Sequence, residues 1–383
     1  METLTDLIRS IPGAAEMSDL AMHITISAIM ATLMFIVMAL CALIFTWMER
    51  KVAGFLQSRY GPMRTGRWHG WAQAVADMLK ILGKEDIIPR DADKGLFMFA
   101  PILVLLGSLL AWAAIPWAPG FVAADLDLGL IYIFAVSSMA IIGILMAGWA
   151  SNNKWALYGA ARGAAQMVSY EVPLALATIP VVMYTGSLNT QDIVIAQQGG
   201  VMNWFVLRVP FLFVAFFMYF IAGIAETNRG PFDMPETESE LVAGYHTEYT
   251  GMRFAFFFLA EYANLYLVSL IAVFVFLGGW WAPIPFLDFL PPALTFVIKG
   301  VLMVFLNMWV RWTLPRVRVD QLMHLCWKVM IPVTLICVIG SGICPSSTGP
   351  PRSPSTFTVY RPGRAFGFTR KTTLISASPA ARL

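Results

Sequence analysis

The sequence predicts an all-α integral membrane protein with about eight transmembrane helices, an amphipathic interfacial helix and a structured acidic cytoplasmic loop (residues 226–254). Composition is the first reason, because 58% of the residues are hydrophobic and only 13% are charged, unlike a soluble globular domain. Length is the second reason, because several uninterrupted apolar runs reach about 18 residues or more, enough to cross a bilayer as a helix. Soluble globular classes are therefore excluded.

The apolar runs divide the chain into three parts. Residues 1–19 form an N-terminal segment with no small-residue cleavage site, so we expect no cleavable signal peptide. Residues 20–344 form the transmembrane helical domain, and residues 345–383 form a tail. The predicted spans are 20–47, 95–117, 128–149, 162–184, 204–225, 252–278, 293–314 and 327–344.

Lysine and arginine predict the orientation of the spans. The loop 49–94 carries nine of these residues, whereas the loops 118–127, 185–203 and 279–292 carry none. Basic loops stay on the cytoplasmic side. We therefore expect a periplasmic N-terminus, and we expect the loop 49–94, the short loop 150–161, the acidic loop and the loop 315–326 to be cytoplasmic.

The tail does not follow this charge pattern. Residues 345–383 contain six basic residues and no acid, and they are rich in Ser, Pro and Thr, which predicts disorder. An eighth span would place this basic tail outside. We expect that the reading frame shifts near Ser341 and that the natural C-terminus differs; the alternative is an outside extension that tolerates its charge.

Residues 68–84 are too polar to span a membrane. Trp71, Val75, Met78 and Leu82 share one helical face, with polar residues around the other, which predicts an amphipathic helix lying in the interface. It is either a surface anchor or a lip over an opening between helices for an amphiphilic substrate.

Carboxylates are concentrated in the acidic loop. Pro231 and Pro235 constrain the backbone, and Phe232 and Met234 provide apolar anchors, so we expect a site wall rather than a slack linker. Carboxylates packed together share protons, because not all of them ionise at once. The loop acids are Glu226, Asp233, Glu236, Glu238, Glu240 and Glu248.

Three glutamates lie in or at the ends of apolar spans: Glu171, Glu226 and Glu261. An ionised side chain at mid-bilayer costs about 2.5–3.5 kcal/mol on insertion scales. Three of them on consecutive spans favour a proton relay. The alternative is structural polar residues that bond to a neighbouring helix or stay neutral.

Familiar catalytic and metal-binding patterns are absent from the sequence. We find no P-loop, no GxGxxG after a strand, no GxSxG and no HExxH. The four cysteines (Cys41, Cys326, Cys337 and Cys344) form no CxxC pair, and the histidines show no metal spacing, so we expect no metal site. Cofactor chemistry, if any, must then take place in another chain.

Three motifs carry a family resemblance: ERKVAGFLQSRYGPMRTG (49–66), GWASNNKWALYGAARGAAQMVSYEVPL (148–174) and AETNRGPFDMPETESELVAGYHTEYTGMRFAFFFLAEY (225–262). Together they resemble the H-type membrane subunits of the proton-pumping NADH:quinone oxidoreductases, bacterial respiratory complex I. The resemblance covers about residues 20–340 in order, and the tail departs from it. It implies a membrane subunit that forms the quinone chamber and the start of the proton path coupling quinone reduction to pumping.

The resemblance also implies roles for individual residues. The carboxylates leading from the chamber into the membrane would be Glu171, Glu226 and Glu261. The charged residues lining the chamber would be Glu49, Arg50, Arg229, Asp233, Glu236, Glu238, Glu240, Glu248, Arg311 and Arg316.

The resemblance further implies a multi-pass protein of the bacterial cell inner membrane that takes part in an enzyme complex but holds no complete active site. Quinone is the substrate, and this chain binds no cofactor, since FMN and iron–sulfur clusters belong to partner subunits. The partners would be hydrophilic quinone-site subunits, antiporter-like membrane subunits and the lipid bilayer, with no nucleic acid.

Three other functions stay open at this point. A stand-alone cation or proton transporter would show a repeat between the chain halves, and we see no second copy of the acidic motif. A membrane subunit of a related energy-converting hydrogenase would share much of the sequence but co-purify with nickel. A structural scaffold would tolerate amide replacement of the acids.

Overall fold

The computed structural model describes residues 19–287 and 289–343. In those residues the regular elements are helices, apart from one isolated bridge between Ala118 and Phe121, so the all-α class is confirmed. The predictions for residues 1–18, the tail and Cys344 lie outside the described residues.

The α-helices are α1 Asp19–Leu56, α2 Gln73–Leu82, α3 Lys94–Ala111, α4 Gly129–Ser137, α5 Met139–Ala150, α6 Lys154–Thr185, α7 Thr190–Ile195, α8 Phe205–Arg208, α9 Pro210–Glu226, α10 Glu238–Leu241, α11 Gly251–Phe276, α12 Pro292–Thr313, α13 Val319–His324 and α14 Ile331–Ile343.

Seven helical segments of the described residues are long and apolar enough to cross a membrane. They are Ile24–Leu56, Lys94–Ala114, Gly129–Ala150, Lys154–Thr185, Gly251–Phe276, Pro292–Thr313 and Val319–Ile343. The remaining predicted span, 204–225, corresponds to the shorter apolar helix α9. The chain is therefore a multi-pass membrane protein, and a count of eight spans stays a prediction.

Several helices extend beyond the predicted spans. Helix α1 continues to Leu56 instead of ending at residue 47, so Glu49 and Arg50 lie on a helix and not in a loop. Helix α6 begins at Lys154 instead of residue 162, where the Asn153 side chain caps it by accepting a hydrogen bond from the Trp155 amide. Hydropathy detects only the apolar part of a helix, whereas backbone hydrogen bonding continues through polar helix-forming residues.

Two spans change their helical geometry along their length. The predicted fifth span is broken at Val209, whose backbone is extended, because a residue that precedes proline, here Pro210, avoids the helical region. The last span begins at Val319 and not at residue 327, and it passes through a π-helical turn, Leu325–Met330, before α14.

Helix α11 lies at the centre of the bundle. In its most apolar window 78% of the residues are buried, the highest share among the seven spans. It packs against α1, α3, α9 and α12, and Tyr266, Phe274 and Phe276 are fully buried on it. Helix α1 instead exposes a row of aliphatic side chains, as a lipid-facing helix does.

The acidic loop contains regular structure and buried side chains. Phe232 and Met234 are buried, and the loop contains α10 and a short 3₁₀ helix, Gly244–His246. Gln166 of α6 anchors it, because its Nε2 donates hydrogen bonds of 2.7 Å to the backbone oxygens of Ala225 and Phe232.

Two glycines of α6 form the surface against which this loop packs. A Cβ at Gly159 would lie 2.6 Å from Gly244 Cα, and one at Gly163 would lie 2.9 Å from Pro235 Cγ. Small-xxx-small spacing of this kind is typical of helix–helix packing, but here it receives the acidic loop. Gly244 has a positive φ of 54°, which allows its close approach to Pro235.

Candidate functional site

A cavity of about 660 Å³, the large cavity, lies among α1, the residues after it, the acidic loop, α11 and the end of α12. Its volume lies within the range of small-molecule sites, about 300–1,000 Å³. Its apolar wall includes Ala53, Pro62, Phe254, Phe258 and Trp312. Its polar lining is Thr46, Glu49, Arg50, Arg59, Tyr60, Arg229, Glu236, His246, Glu261, Tyr262 and Arg311.

Glu49 is the centre of the charged end of this cavity. It is only 5% exposed, and three side chains donate to its carboxylate. Arg229 Nη1 and the Tyr262 hydroxyl each lie 2.6 Å from Oε2, and Arg311 donates to Oε1. A buried charge requires this degree of compensation, since an unpaired one is strongly unfavourable.

Arg229 links Glu49 to Glu261. Its Nε lies 2.7 Å from Glu261 Oε1, and its guanidinium lies over the Tyr262 ring at 4.1 Å from the centroid. Burial by itself would lower the pKa of Arg229, but the carboxylates of Glu261 and Glu49 outweigh burial and hold this pKa well above its ordinary value. Arg229 is therefore a permanent cation between two acids.

Glu236 reaches the same cavity from the acidic loop. Its Oε1 lies 2.6 Å from His246 Nε2. Burial favours a higher pKa for Glu236, yet the hydrogen bond and charge of His246, together with Arg229 and Arg311, lower this pKa below the ordinary value. Glu236 is therefore ionised at neutral pH.

Arg50 lies at the outer end of the cavity. It forms an ion pair with Asp77 of α2, and Asp77 also accepts a 2.9 Å hydrogen bond from Gln73. The start of the amphipathic helix is thereby tied to α1. The helix is shorter than the predicted segment 68–84, and Trp68 and Trp71 precede it. Their rings and the apolar face of α2 stay exposed, as expected of residues at a membrane interface.

Asp233, Arg316, Glu240 and Glu248 are not among the residues lining the large cavity. Asp233 pairs with Arg316 at 3.0 Å, and burial followed by the charge of Glu236 raises its pKa. Glu240 pairs with Arg162 at 2.6 Å, and Glu248 accepts a 2.6 Å hydrogen bond from Asn153 Nδ2. The Glu238 side chain lies outside the described part of the structure. Their role in the chamber stays a prediction.

A second, small cavity of about 20 Å³ joins Glu261 to Glu226. This is room for about one water molecule. Asn228 and Asn264 also line it, and Glu226 Oε2 is buried without a hydrogen-bond partner among the described residues. Glu261 lines both the large cavity and the small cavity.

Glu171 continues this series on α6. Helices α6 and α9 pack against each other, and Glu171 and Glu226 are close enough for their charges to interact. Glu171 Oε1 is also buried without a hydrogen-bond partner in the part of the chain that the structure describes. The three glutamates predicted to form a relay are thus arranged in the order Glu261, Glu226, Glu171.

Sequence reasoning missed Tyr262, His246 and Arg162. Tyr262 and His246 both lie in the third quoted motif, but neither is recognisable as a carboxylate partner without the fold. Arg162 lies on α6, and its partner is Glu240 in a distant segment of the chain.

Comparison with known proteins identifies the family. A family model described as NADH dehydrogenase matches residues 29–341. The chain belongs to the NADH dehydrogenase family. It is 48% identical over 328 residues to the H subunit of the NADH-quinone oxidoreductase of Chlorobaculum parvum, covering 82% of this chain and 91% of that protein. It is 51% identical over 288 residues to the Geobacillus sp. (strain WCH70) protein of the same name, covering 75% and 84%. The resemblance predicted from the three motifs is confirmed.

Proposed function

We propose that this NADH dehydrogenase family chain is the H-type membrane subunit of a proton-translocating NADH:quinone oxidoreductase. Its large cavity forms part of the quinone chamber, and Glu261, Glu226 and Glu171 begin the proton path. Support comes from the similarity across residues 29–341 to the family and from relatives that are named as the H-type component of that enzyme.

The lining of the large cavity suits a quinone. Phe254, Phe258 and Trp312 offer apolar and aromatic contacts to an isoprenoid ring and tail, and apolar walls with a few fixed polar groups are typical of small-molecule sites. Arg229 and Arg311 place permanent positive charge at the charged end of this cavity, next to Glu49. They would stabilise negative charge that develops on the ring as it is reduced.

The observation that carries the proposal is the position of Glu261. This carboxylate pairs with Arg229 at the large cavity and also lines the small cavity beside Glu226. Negative charge on the quinone would compete for Arg229, weaken its pairing with Glu261 and so favour proton uptake by that carboxylate. A proton held there is next to the route to Glu226 and Glu171.

The subunit lies in the bacterial cell inner membrane with a periplasmic N-terminus and a cytoplasmic acidic loop. FMN and iron–sulfur clusters lie in hydrophilic partner subunits that deliver electrons to quinone, and antiporter-like membrane subunits receive the protonation change. No nucleic acid is involved.

The test replaces the acids one at a time by amides. In membranes carrying Glu226→Gln, Glu236→Gln or Glu261→Gln, we expect inhibitor-sensitive NADH:quinone turnover and proton pumping to fall by about tenfold or more. NADH oxidation by ferricyanide, which bypasses the chamber, should be unchanged and reports assembly. Glu85→Gln, an exposed glutamate, is the matched control. Assembled variants that pump at the wild-type rate would show that the chain acts only as a scaffold.

A further inference from the structure

A third cavity, the outer cavity of about 300 Å³, lies beside the large cavity. It opens between the end of α2, represented by Ile81 and Lys84, and the acidic loop, represented by Val242 and Thr247. Three residues line both the outer and the large cavity: Ala243, His246 and Phe254. His246 is the member of this shared wall whose side chain has two ring nitrogens, each able to donate or to accept a hydrogen bond.

Aromatic neighbours hold the His246 ring in this wall. Its centroid lies 4.0 Å from that of Tyr245, 5.3 Å from Phe254 and 5.4 Å from Phe257. Only 8% of the residue is exposed. These contacts define the positions of the two ring nitrogens in the arrangement that the structure shows.

The two nitrogens have different surroundings. Nε2 lies 2.6 Å from Glu236 Oε1, so it donates its proton to the carboxylate that lines the large cavity. Nδ1 is buried and has no hydrogen-bond partner among the residues described. A buried polar atom without a protein partner is uncommon, and a bound water or a role in proton transfer are among the explanations for it.

The charges around His246 favour proton transfer toward the large cavity. On the inner side Glu236 and Glu261 interact with the ring, and both carboxylates also interact with Arg229 and Arg311. On the outer side Lys84 lines the cavity that His246 shares. The two arginines keep their protons permanently, so they hold charge but do not carry protons.

We propose that His246 passes protons from the outer cavity to Glu236 and so into the large cavity, where quinone reduction consumes them. The inference rests on the proposed function. A proton from water of the outer cavity adds at Nδ1, and the Nε2 proton leaves to Glu236 Oε1. The ring is again neutral, now with its proton on Nδ1. Reorientation of the side chain about Cα–Cβ and Cβ–Cγ then presents Nδ1–H to Glu236 and Nε2 to the outer cavity. The next proton adds at Nε2 as the Nδ1 proton leaves to Glu236, and the starting tautomer returns.

The experiment uses the whole complex in membrane vesicles. His246→Gln keeps an amide that can hydrogen-bond to Glu236 but cannot carry a proton. We expect NADH:quinone turnover to fall on the order of tenfold near pH 8 and less near pH 6, because proton supply limits the rate only when protons are scarce. Imidazole should restore part of the rate in His246→Ala. A purely structural role would produce a pH-independent loss without rescue, and that result overturns the proposal.

The controls separate this inference from the proposed function. His324→Gln changes an exposed histidine of α13 and should leave the pH profile unchanged. If Glu261→Gln is inactive while His246→Gln keeps the wild-type profile, the relay is wrong and the proposed function stands. If both variants turn over at the wild-type rate, both are wrong. Ferricyanide reduction reports assembly, and His246→Asn replaces any variant that does not assemble.

Discussion

Glu49 shows, at the scale of single residues, how a buried acid is stabilised in this fold. Its carboxylate receives hydrogen bonds from Arg229, Arg311 and Tyr262, from three separate segments of the chain. Removing one member of such a group leaves the others buried without full compensation. Glu49 therefore joins the acidic loop, α11 and α12 to α1.

Glu49→Gln should lower the stability of the protein by about 3 kcal/mol, because two guanidiniums lose their shared buried counterion. A thermal shift of the purified complex and its yield on native gels would measure the loss. The exposed pair between Glu240 and Arg162, with side-chain exposures of 58% and 35%, is the control. Glu240→Gln should change stability by at most about 0.5 kcal/mol. Equal effects of the two substitutions would contradict the role assigned to Glu49.

Helix α6 and the acidic loop illustrate the scale of whole elements. The loop lies against Gly159 and Gly163, and Gln166 holds its backbone from the same helix. This contact positions Glu236 and Arg229 at the large cavity. The surface of α6 that packs against the acidic loop thus determines where the charged side chains of that loop lie.

Gly159→Ala should displace the acidic loop, since the added Cβ would lie 2.6 Å from Gly244 Cα and 3.0 Å from the Pro235 oxygen. These are backbone atoms that cannot rotate away, so we expect a loss of about 1–3 kcal/mol together with reduced quinone turnover. Melting temperature and NADH:quinone activity measure the two effects. Gly95→Ala is the matched control, because its added Cβ meets only Asp93 Oδ1 at 3.7 Å. A Gly159→Ala variant as stable and active as the control would show that the position of the loop does not depend on its close contact with Gly159.

The whole molecule is organised by the membrane. Exposed aliphatic residues surround a bundle whose centre is α11, and the large cavity lies at the end where the basic and acidic loops meet. The charge asymmetry of the loops predicts that this end is cytoplasmic.

Single cysteines would test this orientation in a background without the native cysteines. Met202→Cys and Phe286→Cys replace side chains that are each 80% exposed in the loops without basic residues, so an impermeant maleimide should label them in spheroplasts. Glu85→Cys should react only in inverted vesicles. Labelling of all three from one side would contradict the predicted orientation.

The sequence by itself determined the all-α membrane class, the approximate spans and the family, because hydrophobic runs and contiguous motifs are local properties of the chain. It also marked Glu261 as a candidate, since acids are costly in a bilayer, and Glu236 as part of a constrained acidic loop, while the family resemblance implied Glu49. It could not reveal that Tyr262 and Arg311 both donate hydrogen bonds to the Glu49 carboxylate, or that His246 lies between two cavities. Only tertiary structure decided those pairings, because hydrogen bonds and ion pairs act over a few ångströms in space and join residues that are far apart in the chain.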